Sequence, residues 1–152
     1  MTTRFYHAGL VARDAAKLAA FYIAVLGCTE TGDRHDIAGL PVSRGMGLPG
    51  AHLVGLDLRM PGHGADGPVL EIFQLDRVVA GEHEVNRAGL MHLAFSVDDV
   101  AETLALLIAE GGSTLGEITS LEVENVGTAT MVYARDPEGN IVEIQKWKLI
   151  ES

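Results

Sequence analysis

The sequence predicts an α+β protein built from two tandem βαβββ modules, and two observations carry that expectation. The first is an internal repeat. "FYHAGLVARDAAKLAAFYIAVLG" from Phe5 aligns with "LMHLAFSVDDVAETLALLIAEGG" from Leu90 at an offset of 92 − 7 = 85. His7 then meets His92, Asp14 meets Asp99, and Gly27 meets Gly112. The second is a matching pair of carboxylates inside apolar runs, Glu71 in "VLEIFQL" and Glu143 in "NIVEIQKW". Each module occupies about half the chain, residues 1–76 and 90–152, around a linker over residues 77–89, the whole forming a single domain over 1–152.

Each repeat opens on a strand. In "LMHLAFSVDDV" (90–100), Met91, Leu93, Phe95 and Val97 alternate with His92, Ala94 and Ser96, so the two sets point to opposite faces. A helix follows. Leu18, Phe21, Tyr22 and Val25 keep the i, i+3, i+4, i+7 spacing in the first module, and Val100, Leu104, Leu107 and Ile108 form the second apolar stripe. Asp14 and Asp99 suit the N-cap, with Glu102 three residues after Asp99. Gly27 and Gly111 suit the helix stop. Three strands close each module, near residues 32–37, 52–60 and 69–75 in the first and 114–121, 128–134 and 141–148 in the second. "RGMGLPGAHLVG" and "MPGHGADGP" read as loops, and "DPEGN" (136–140) as the tight turn before the last strand.

A histidine on the first strand and a glutamate on the last strand of each module give one set: His7, Glu71, His92 and Glu143. A carboxylate inside an apolar strand is costly unless it is paired, hydrogen-bonded or bound to a cation. Two imidazoles and two carboxylates suit a borderline divalent metal ion, Zn, Ni, Co, Mn or Fe. The small residues Gly9, Ala94 and Ser96 share the faces of the two histidines and leave room for a ligand. The remaining histidines, His35, His52, His63 and His83, have no repeat partner and read as surface or loop residues, with His63 in "PGHGADG" a minor candidate for closing over a substrate.

Charge narrows the partners. The 152 residues hold 21 acids against 11 bases, for a formal charge of −10, which disfavours nucleic acid and anionic membrane as the main partner. A lone cysteine, Cys28, excludes an intrachain disulfide framework and suits a reducing cytoplasmic setting. "LAAFYIAVLGC" (18–28) has the apolar richness of a signal segment, but it is periodic and preceded by Arg13, Asp14 and Lys17, so it reads as an amphipathic helix.

The stretches "FYHAGLVARD", "VLEIFQ", "MHLAFSVDD" and "DPEGNIVEIQ" together resemble the vicinal oxygen chelate superfamily, the group of glyoxalase I, bleomycin-resistance proteins and extradiol dioxygenases. The resemblance spans essentially the whole chain. It implies a curved mixed sheet around a metal cleft, helices on the outer face, and a homodimer acting on a small-molecule substrate. It also implies that the four ligands are His7, Glu71, His92 and Glu143, with Glu143 as the proton-abstracting base and Glu71 as the second carboxylate able to take that part. This ligand set is similar to that of bacterial glyoxalase I and methylmalonyl-CoA epimerase. The implied function is a metal-dependent lyase or isomerase that chelates vicinal oxygens, removes the proton alpha to a carbonyl and stabilises an enediolate. The alternatives are an extradiol-type dioxygenase and a non-enzymatic protein that sequesters a drug or metabolite. Glutathione-binding members place Arg and Asn four residues after the first and second ligands. Val11 and Leu75 stand there, so the resemblance does not carry glutathione over.

Overall fold

The computed structural model describes residues 2–150, and these fall into two compact units that divide after Ala80. The first unit contains β1 (His7–Val11), α1 (Ala15–Leu26), β2 (Thr29–Ala38), α2 (Leu40–Met46), β3 (His52–Arg59) and β4 (Val69–Leu75). Its four strands form one sheet in the order β1-β4-β3-β2, with β1 parallel to β4 and the other neighbours antiparallel. The second unit contains β5 (Leu93–Ser96), α3 (Val100–Ala109), β6 (Ser113–Thr114), β7 (Thr119–Val123), β8 (Gly127–Arg135) and β9 (Ile141–Leu149). Its sheet runs β5-β9-β8-β6, with β7 also paired to β8, and β5 is parallel to β9. These are the two mixed, open sheets of an α+β protein. Among the described residues, no helix is long and apolar enough to cross a membrane.

Period-two alternation splits each sheet into a helix-covered face and an open one. In the first unit Leu56, Leu58, Leu70 and Ile72 are buried on the face that α1 covers. Helix α1 meets them with Leu18, Phe21, Tyr22 and Val25, the stripe its spacing predicts. Asp14 caps it, its Oδ1 accepting from the Lys17 amide at 2.9 Å, and Gly27 ends it at φ 70°, where glycine carries no Cβ penalty.

The second unit repeats the plan less completely. Asp99 Oδ1 accepts from the Glu102 amide at 2.8 Å, and Val132, Ala134, Val142 and Ile144 are buried on the sheet. Helix α3 buries only Val100 and Leu107, however, and Ile108, expected to face inward, is exposed.

Two local expectations also change. Residues 40–46 are not loop but a short helix, with Gly39 before it, Pro in its first turn and Gly47 at φ 66° after it. The single strand expected over 114–121 is two pieces, β6 and β7, each paired with β8. The "DPEGN" turn forms as expected. The buried Asp136 carboxylate accepts from the amides of Glu138 and Asn140 and from the Asn140 side chain, so the chain enters β9 in a set register.

Candidate functional site

The open face of the first sheet carries His7 and Glu71. The parallel register pairs Gly9 with Glu71, so His7 lies one face-step away, and its Nε2 stands 3.1 Å from Glu71 Oε2. The second sheet repeats this geometry. Ala94 pairs with Glu143, two residues after His92, and His92 Nε2 stands 2.9 Å from Glu143 Oε2. The offset 94 − 9 = 85 is that of the histidines, so the repeat preserves register as well as residue type. His92 sits just before β5 rather than inside it. The structure thus arranges the four residues as two pairs, one within each unit.

The pairs differ in burial. Side-chain exposure is 39% for His7 and 20% for Glu71, against 21% for His92 and 12% for Glu143. They also differ across the strands. Glu71 lies directly opposite Asp57 on β3, whereas Glu143 lies opposite Tyr133 on β8. The Tyr133 ring tilts against His92 at 5.0 Å between centroids. Its hydroxyl is held above the usual phenol range by burial and then by the charge of Glu143.

Sequence reading missed two residues of the first site. His35, expected at the surface, is half-buried on β2, and its Nε2 lies 2.8 Å from Asp57 Oδ1. His35, Asp57 and Glu71 each offer one ligand atom within 4.8 Å of the other two, and this group could hold a metal ion. Gly55 makes the arrangement possible. It pairs with His35 on one side and Phe73 on the other, and a Cβ there would strike the Ile72 carbonyl and the Phe73 ring. Without one, the His35 and Phe73 rings come to 5.4 Å across the strand. The signal is an Asp inside the apolar run "LVGLDL" of β3, two residues after a Gly.

The other histidines lie elsewhere. Half-buried His52 bridges Asp36, at 2.8 Å, and Asp76, at 3.0 Å; the Asp36 hydrogen bond, then the Asp76 charge, raise its pKa. It borders a cavity of about 680 Å³ beside α2, lined also by Leu40, Arg44, Pro49 and Asp76, which holds none of the four expected ligands. His63 lies in the exposed turn between β3 and β4, and His83 is exposed in the segment before β5. Cys28 is buried, which pushes its thiol up to about 11 and makes it a packing residue rather than a nucleophile.

The donor chemistry fits a metal. Two ligands held by one ion at about 2.0–2.2 Å in tetrahedral geometry lie roughly 3.4 Å apart, so each His–Glu pair needs to open by only a few tenths of an ångström. Among the described residues, the Nδ1 of His92 is a buried side-chain nitrogen with no hydrogen-bond partner, so the polar contact of this ring runs through Nε2 to Glu143.

Two sheets with paired His and Glu on their open faces define a glyoxalase-like class of protein. The chain belongs to the Glyoxalase/Bleomycin resistance protein/Dioxygenase superfamily, whose family model matches residues 4–144. It is similar in fold to a glyoxalase family protein from Bacillus cereus, at 20% identity and a TM-score of 0.81, over 97% of this chain and 95% of that one. A glyoxalase family protein from Enterococcus faecalis matches at 23% identity and a TM-score of 0.61, over 93% and 96% of the two chains. TioX from Micromonospora sp. ML1 matches at 16% identity and a TM-score of 0.56, over 96% and 100%. None of the curated proteins compared with the chain matches it.

Proposed function

We propose that this chain is a divalent-metal-dependent lyase or isomerase of the glyoxalase-like type. The observation that carries the reading is the repeated pair, an imidazole and a carboxylate about 3 Å apart at the same register in both units. In this reading His7, Glu71, His92 and Glu143 supply the ligands, and the two units work as one glyoxalase-like domain. When bound, the ion would supply Lewis-acid polarisation of a substrate carbonyl. Glu143 removes the proton alpha to that carbonyl. Glu143 suits this task better than Glu71 because a phenol stands opposite it, whereas Glu71 shares its face with Asp57 and His35. The substrate is a small molecule with vicinal oxygens, such as an α-hydroxycarbonyl compound, and the reading includes a cytoplasmic homodimer.

The test is a pair of variants in the full chain. His92→Ala loses the ion this set holds, measured as metal content after dialysis. Glu143→Gln keeps substantial metal but loses roughly 10²–10⁴-fold in turnover across a panel of hemithioacetals and α-hydroxycarbonyl compounds. Full activity of Glu143→Gln on a turned-over substrate would remove Glu143 as the base. Oxygen uptake with catechols and Fe(II) would point instead to the dioxygenase branch, and ligand binding by a protein that takes up no ion would point to sequestration.

A further inference from the structure

We propose that the first unit carries a divalent-cation site of its own, held by His35, Asp57 and Glu71, with no ligand from the second unit. Three observations converge on it. The first is proximity, since one ligand atom from each residue lies within 4.8 Å of the other two. Modest side-chain rotation draws such a group to the roughly 3.4 Å spacing of donors on one ion. The second is a like-charge arrangement. Asp57 and Glu71 are direct cross-strand partners, both half-buried, and two carboxylates so placed destabilise a sheet when both are ionised. A divalent cation between them turns that repulsion into coordination. The third is support for the imidazole. The Phe73 ring braces His35 across Gly55, so the ring is positioned by packing rather than left free on the strand.

The second unit sharpens the point. Tyr133 takes the place of Asp57 opposite the strand glutamate, and Thr119, paired with Met131 two residues before Tyr133, takes the place of His35. The cluster is therefore a property of the first unit and not of the repeat. One nitrogen and two carboxylate donors suit Mn, Fe(II), Co or Zn. Glu71 belongs to this group and to the ligand set proposed above, and its two oxygens allow it to serve both ions.

Zinc binding to the full chain, followed by calorimetry, decides the matter. Asp57→Asn and His35→Gln should each weaken one zinc equivalent by about 100-fold or more, beyond what loss of a mere supporting contact causes. His92→Ala should leave that equivalent intact. Wild-type zinc stoichiometry and affinity in Asp57→Asn and His35→Gln would overturn the proposal, as would loss of all zinc in His92→Ala. An ion lost on His92→Ala alone would support the function proposed above and overturn this site; an ion lost on Asp57→Asn and His35→Gln alone would do the reverse.

Discussion

The two units share a plan and differ in how they surround their glutamates. In the first, Glu71 is ringed by donors: His7 at 3.1 Å, Asp57 directly across the strand, and His35 behind Asp57. In the second, Glu143 has His92 at 2.9 Å and a phenol across the strand. The same backbone register therefore presents a donor-rich face once and a drier, donor-poor face once. The two units share their helix caps and a buried sheet face, and differ in what stands across the strand from each glutamate.

Exchanging the differing residue is the strongest way to break that comparison. Tyr133→Asp recreates the first unit's carboxylate pair in the second and removes the ring against His92. It should cost about 2–4 kcal/mol in metal-free urea unfolding, combining lost aromatic packing with a carboxylate placed opposite Glu143. A loss within about 0.5 kcal/mol would mean that the phenol and the carboxylate are interchangeable there.

The caps sharpen the shared part. Asp14 and Asp99 each accept one amide at the helix start, so Asp14→Ala and Asp99→Ala should each cost about 1 kcal/mol by chemical denaturation. Unequal losses would show that the weaker burial of α3 has loosened its start.

The smallest effect belongs to His52, a bridge in the first unit. Its pKa is raised by Asp36 and Asp76, so its contribution is fully present below the unfolded value of 6.5 and is lost as pH rises through the higher folded value. His52→Gln should therefore lower the unfolding temperature slightly near pH 6 and leave it unchanged near pH 9. A difference of the same size at both pH values would show that packing, not charge, explains His52.

Much of this architecture could be read from the residues. Leu18, Phe21, Tyr22 and Val25 are buried because helical periodicity is a local property that the chain states openly. The bounds of β4 match for the same reason, since "VLEIFQL" is an apolar run between turn signals. His7, Glu71, His92 and Glu143 could be found because the repeat marked them. His35 could not, because β2, "TETGDRHDIA", has no alternation and no counterpart histidine in the second half. The part played by Asp57 depends on its register with Glu71, a pairing 14 residues apart that only hydrogen bonding between strands creates. Helix α2 was hidden by glycines at 39, 45 and 47 that read as loop, although Pro41 and Gly47 bracket it in the order that helices favour.

The most direct measurement is anomalous scattering at the zinc edge from crystals of the zinc-loaded full chain. The account predicts an ion about 2.0–2.2 Å from donor atoms of His7, Glu71, His92 and Glu143. Zinc found with none of these four as ligands, or with only one His–Glu pair engaged, would contradict it.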